Sequence, residues 1–197
     1  MTQVTAYTNE GRYKCLEDLP IDSAELSLGY CGWERCYPEH RFGPNKRTYY
    51  VLHIITNGKG KLEKNGEVFH LTTGDAFLLC PEEEAWYEAD KKEPWAYAWI
   101  GLYGYKVKKV MQYAGFSKEK SIRSLKCTAL LKSYVDEILE VHRLTTEESM
   151  RRNGYLNLFL ATLIEDNEKF NTKTMPEHTY PGTVYVEHAM EYIKHHY

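Results

Sequence analysis

No stretch of about 18 consecutive apolar residues occurs in this 197-residue sequence, so no membrane-spanning helix is expected. The opening residues, MTQVTAYTNEGRYK, lack the apolar segment of a secretory signal, which points to a cytoplasmic chain. An excess of positive charge is also missing. A net charge of −3 offers nucleic acid no general electrostatic attraction, so any grip on DNA has to come from another segment. The five cysteines (Cys15, Cys31, Cys36, Cys80 and Cys127) are odd in number and include no C-x-x-C pair. That pattern argues against a disulfide framework and against a structural zinc site, and leaves reduced, mostly buried thiols as the expectation.

Catalytic motifs are equally scarce. Small β-barrels hold metals through convergent imidazoles and carboxylates, commonly with an H-x-H pair on one strand face. The strand region has none: His40, His53 and His70 stand singly, and a lone histidine on a strand is more often a core or surface residue than a ligand. Glu82-Glu83-Glu84 follows Pro81 in a turn, where three adjacent carboxylates point apart and repel one another rather than form an acid/base pair. No Ser, Cys or Lys sits in a nucleophile motif, and Gly58-Lys59-Gly60 lacks the helix that a phosphate-binding loop requires. Neither a metal, a cofactor nor a catalytic residue is expected, and an enzyme is the weaker class.

What the sequence does contain fits a folded α+β chain. Apolar residues make up 43% and charged residues 27%, enough to bury a core without covalent staples. Residues 25–103 read as short strands recurring at about 8–12-residue spacing, as in a small antiparallel barrel or jelly roll. Leu26, Leu28 and Tyr30 alternate, as do Tyr50, Leu52 and Ile54, while Asn57-Gly58, Asn65-Gly66 and Thr73-Gly74-Asp75 mark turns. Beyond Gly104 the period becomes helical. Amphipathic stripes run through Val107 to Ala114, through Leu130 to His142, and from Thr146, a candidate N-cap, to Ile164. Residues 170–183, with two prolines and a glycine, read as a linker, and Val184 to Tyr197 as a further helix.

Aromatic residues are abundant, with 17 Tyr and 4 Trp. In EPWAYAWIGLYG (residues 93–104), Trp95, Tyr97 and Trp99 alternate with Ala96 and Ala98, so three rings share one strand face and the other face is nearly bare. Such rings either fill a core or wall a pocket. Carbohydrates stack their C–H patches on ring faces and need donors and acceptors for their hydroxyls. Trp95, Tyr97, Trp99 and Tyr87, with Arg41 or Arg47 as a polar anchor, are the candidate sugar contacts.

The segments YYVLHIITNGKG, LTTGDAFLLCP and PWAYAWIGLYG, in this order and followed by helices, resemble the sensor domain of AraC-type transcriptional regulators. The likeness is to the Gram-positive branch associated with oligosaccharide and α-galactoside use. It implies a mobile arm over residues 1–24 that folds across the opening, a cupin-like ligand-binding jelly roll over 25–103 and a helical dimerisation region over 104–169. Residues 184–197 would be the truncated start of a DNA-binding domain with helix-turn-helix units. Trp99 then matches the stacking Trp of the arabinose-responsive member and Tyr87 its Tyr. Tyr97 replaces a His, and Arg41 is favoured over Arg47 for the Arg. Ala85 stands where a cupin metal ligand would, in keeping with a metal-free sensor.

The resemblance further implies a homodimer that contacts DNA only through the absent segment. For its interface the expected residues are Leu156, Phe159, Leu160 and Leu163 on the third helix. Two rivals stay open at this level: a cupin-type metal-dependent enzyme acting on a sugar or small metabolite, and a barrel that serves only to dimerise.

Overall fold

The computed structural model describes residues 6–170 and Met190. The linker and helix start expected over 170–183 and 184–197 lie outside the described residues, Phe170 and Met190 excepted. In chain order the strands are β1 (Ala6–Asn9), β2 (Tyr13–Glu17), β3 (Ser27–Arg35), β4 (Arg41–Asn45), β5 (Tyr50–Asn57), β6 (Lys59–Lys64), β7 (Glu67–Thr72), β8 (Asp75–Leu79), β9 (Ala85–Ala89) and β10 (Ala96–Tyr103). Helix α1 (Val107–Tyr113), strand β11 (Ile122–Ser124) and helices α2 (Thr128–Glu140) and α3 (Thr146–Phe170) follow. Two antiparallel sheets result. One has seven strands in the order β1-β2-β3-β10-β5-β8-β11, the other four in the order β4-β9-β6-β7.

Local chemistry explains the turns. Asn65 and Gly66 both adopt positive φ (54° and 78°), as a two-residue hairpin joining Lys64 to Glu67 requires, because this turn matches the right-handed strand twist. At the β7–β8 turn the Thr72 amide donates to the Asp75 carboxylate at 2.9 Å.

The seven-stranded sheet is buried on both faces, so its strands sort their side chains into two cores. On β5, Leu52 and Ile54 join the helices, whereas Val51 and Ile55 face the smaller sheet. On β10, Ala98, Ile100 and Leu102 take the helical side and Tyr97 and Trp99 the other, which Trp95, just before the strand, also joins. The alanine face is thus not bare. Helix α2 packs across β3, β5 and β10, and small residues there let its backbone lie close.

Residues 6–17, expected as part of a mobile arm, form the β1–β2 hairpin, which adds to the large sheet through β3. The reason is burial on both sides: Cys15 sits in one core and Leu16 in the other. The hairpin also reaches the helices. Lys14 pairs with Glu140 at 2.5 Å, and the Tyr7 ring stacks on His142 at 4.1 Å.

A second correction concerns α3. Leu156, Phe159, Leu160 and Leu163, expected to meet a second copy, are at most 4% exposed within a single chain, where they pack in the core shared with α1 and α2. Among the described side chains of α3, the large apolar residues left exposed are Met150 and Leu158. Near its C-terminal end, Asp166 pairs with Arg123 of β11 at 3.3 Å, both side chains buried, and this pair pins the helix to the edge of the large sheet. Thr146 is the first residue of the helix rather than its cap.

Candidate functional site

Between the sheets lies a cavity of about 210 Å³. Two rows of cross-strand neighbours on the large sheet position Trp99, His53, Tyr13, Glu34 and Tyr97 in its lining. In the first, Cys15, Gly32, Trp99, His53 and Phe77 succeed one another across β2, β3, β10, β5 and β8. In the second, Tyr13, Glu34 and Tyr97 align across β2, β3 and β10. Directly opposed residues on one face of a sheet are its closest side-chain contacts, which is why groups far apart in sequence meet here.

The Trp99 ring depends on the glycine beside it. A Cβ on Gly32 would come within 2.4 Å of Trp99 Cζ2, so only a residue without a side chain lets the indole lie against β3. Around it, ring centroids stand 5.6 Å away for Tyr97 and 5.8 Å for Tyr13. Tyr87 approaches from β9 and meets Tyr97 edge-on at 89°. The Phe42 ring of β4 stacks on Tyr87, while Tyr30, Tyr49 and Arg47 complete the lining.

Tyr30 points here because of an irregularity. The β3–β10 register runs from Tyr30 opposite Gly101 to Leu28 opposite Leu102, leaving Gly29 as an extra residue. Such a bulge reverses the alternation, so Leu28 joins the helical core and Tyr30 the cavity instead of sharing a face.

Polar groups line the same space. The Tyr97 hydroxyl donates to Glu34 at 3.0 Å, and the Tyr87 hydroxyl lies 3.3 Å from His53 Nε2. Burial holds the His53 imidazole well below its ordinary range, and the nearby Arg47 charge acts in the same direction, so the ring is neutral at pH 7. Burial likewise raises the hydroxyls of Tyr87 and Tyr97, for Tyr97 with Tyr87, Cys36 and Glu34 adding, and keeps them protonated. The cavity therefore offers ring faces, neutral donors and acceptors, a guanidinium and carboxylates. It can stack C–H patches and hydrogen-bond hydroxyl groups.

Of the residues expected from sequence, Trp99, Tyr97, Tyr87 and Arg47 line this cavity. Arg41 does not. Since Phe42 faces inward, strand alternation turns Arg41 outward, where its guanidinium lies 3.9 Å from the Trp86 ring centroid. Trp95 is also excluded: at 1% exposure it fills the core beyond the cavity, against Phe77, Tyr87 and Tyr97. Sequence reasoning missed His53, Tyr30, Tyr49 and Glu34 as lining residues, and had Tyr13 only as part of the arm over the opening. For His53 a signal existed, since Val51, His53 and Ile55 alternate as regularly as the set on the other face.

Residues 27–153 match the model of the AraC-like ligand binding domain family. The chain is 33% identical over 150 residues to the Msm operon regulatory protein of Streptococcus mutans, covering 76% of this chain and 54% of that protein. It is 36% identical over 89 residues to the lactose operon transcription activator of Staphylococcus xylosus, covering 45% and 31% of the two chains. With the raffinose operon transcriptional regulatory protein of Pediococcus pentosaceus it shares 38% identity over 94 residues, 47% of this chain and 33% of that one. The chain thus spans about half the length, or less, of these curated relatives. The family match runs from the first residue of β3 into α3 and takes in all of the cavity lining except Tyr13 and Glu17, and the chain belongs to the AraC-like ligand-binding domain family.

Proposed function

We propose that the cavity binds a sugar and that this chain is the effector-sensing part of a transcription regulator of a sugar-utilisation operon. The observation that carries the reading is the Trp99, Tyr97 and Tyr13 ring cluster flanked by Arg47 and by hydroxyl, imidazole and carboxylate groups. Support comes also from the relatives, whose names attach them to the Msm, lactose and raffinose operons. At about 210 Å³ the space is smaller than the roughly 300–1,000 Å³ of drug-sized sites. It suits one sugar ring, with the rest of an oligosaccharide, such as an α-galactoside, outside.

Tyr13 and Glu17 bring the N-terminal hairpin into the cavity wall, and Lys14 and Tyr7 tie the same hairpin to the end of α2. A ligand shifts an equilibrium only by its differential affinity for the two states. A sugar touching Tyr13 would have that leverage, because the hairpin's seating on α2 differs in stability with the cavity filled or empty. Pairing of two copies would use the outer face of α3 around Met150 and Leu158, and DNA would be gripped in the cytoplasm by a segment outside residues 6–170.

Thermal unfolding with melibiose, raffinose, galactose, lactose and arabinose tests the reading. A ligand at about 100 times its dissociation constant adds about 2.7 kcal/mol, which is an upward shift of several degrees. No shift with any sugar would overturn it.

A further inference from the structure

We infer that Glu34, Cys36 and His40 form a binding site for a zinc-class divalent cation at the edge of the large sheet. The inference does not depend on the cavity's ligand being a sugar. A carboxylate oxygen of Glu34, the Cys36 sulfur and a ring nitrogen of His40 all lie within 4.8 Å of one another. His40 Nε2 is already 3.4 Å from Glu34 Oε1.

The chain brings these groups together by a turn. Glu34 stands near the end of β3 and Cys36 just past it; Glu39 then adopts a positive φ of 60°, and the His40 amide donates to the Tyr37 carbonyl at 3.1 Å. That turn carries His40 back over Glu34. The Cys36 backbone is held from two sides, its amide donating to Trp95 at 3.1 Å and its carbonyl accepting from Arg12 at 2.8 Å. Outer support is present as well. The second Glu34 oxygen accepts the Tyr97 hydroxyl at 3.0 Å, the kind of contact that orients a metal-binding carboxylate. Glu34 and Cys36 both line a surface cavity of about 710 Å³, which provides an entry path.

The donor set selects the ion. Thiolate sulfur, imidazole nitrogen and a single carboxylate suit zinc, whereas calcium and magnesium favour oxygen ligands. Zinc bonds of about 2.0–2.3 Å place tetrahedral ligand atoms roughly 3.3–3.7 Å apart, so the groups need to close by about 1 Å. His40 is on the partly exposed turn and can make that adjustment. The incoming cation takes the Cys36 sulfur as thiolate and the proton leaves to solvent.

Zinc titrated calorimetrically into the chelator-treated full chain tests the site, beside Cys36→Ser, His40→Gln and a variant with His188, His195 and His196 all changed to Gln. One zinc per chain is expected, with affinity lowered about tenfold or more by Cys36→Ser and by His40→Gln, and unchanged in the triple variant. Full affinity in both single variants, or loss confined to the triple variant, overturns the inference. Cys36 is buried, so its variant tests folding as well as binding. Cobalt(II) in the unmutated chain gives the independent reading: a thiolate-to-cobalt charge-transfer band that weakens in His40→Gln supports the site, and its absence refutes it.

Discussion

The Tyr87 hydroxyl lies 3.3 Å from His53 Nε2, joining β9 of the small sheet to β5 of the large one across the cavity. Both side chains are buried, and His53 Nδ1 has no hydrogen-bond partner among the described residues. A buried imidazole in this setting is stable only when neutral.

His53 therefore gives the fold a pH dependence of known sign. Its folded value is depressed by burial and by Arg47, while the unfolded chain takes up the proton below about pH 6.5. The stability contributed by neutral His53 is fully present above that pH and is lost as pH falls toward the depressed folded value. The loss reaches up to about 1.4 kcal/mol per pH unit for one proton. Urea unfolding at about pH 7 and about pH 5.5 should show a smaller difference in His53→Gln than in the unmutated chain. An identical pH dependence in the two would remove His53 from the account.

Trp99 and Trp95 should separate binding from packing. Replacing either by Ala lowers stability by about 3–5 kcal/mol, the usual loss for a buried aromatic. The milder Trp99→Phe removes the indole platform while keeping most of the volume. It should abolish any sugar-dependent quenching of tryptophan fluorescence, and Trp95→Phe should preserve it. Quenching that survives Trp99→Phe would place the ligand elsewhere.

Arg47 faces the cavity and Arg41 the outer surface, over Trp86. Loss of a hydrogen bond to a charged group costs about 1.5–3 kcal/mol, so Arg47→Ala should weaken sugar binding roughly 10- to 100-fold. Arg41→Ala should leave it within about twofold, since substitutions on an exposed face usually change little. Titration calorimetry of the two variants decides; a larger loss at Arg41 would reverse the assignment.

On α3, Leu158→Glu and Leu163→Glu should behave oppositely. Leu158 is exposed and Leu163 is not. A carboxylate at 158 should leave the melting temperature near that of the unmutated chain and convert a dimer to monomer, measured by light scattering after size exclusion. At 163 it would be buried without a partner and should unfold the chain. A dimer that survives Leu158→Glu excludes that face as the contact.

Much of this was visible in the sequence. Strand alternation put Trp95, Tyr97 and Trp99 on one face and helical spacing located α3, because both depend only on neighbours along the chain. Which of the three rings walls the cavity was not visible, since it depends on who stands opposite: Gly32 and His53 flank Trp99, whereas Trp95 is packed into the core beyond. Tyr30 was placed with Leu28 because a bulge leaves no trace in an alternating pattern. The interface expected on α3 failed for a related reason. An apolar stripe says that a face is covered, and here α1, α2 and the large sheet already cover it within one chain. His40 was read as a lone histidine, Cys36 as one of five buried thiols and Glu34 not at all, since their meeting depends on the positive-φ turn at Glu39.

Gly32 is not among the residues that line the cavity, yet the seat of the Trp99 indole is moulded by the hydrogen it carries in place of a side chain. Exchanging that hydrogen for a methyl would tilt the indole and resize the binding space from behind. The shape of the cavity can thus be retuned at a position that no inspection of its lining residues would single out.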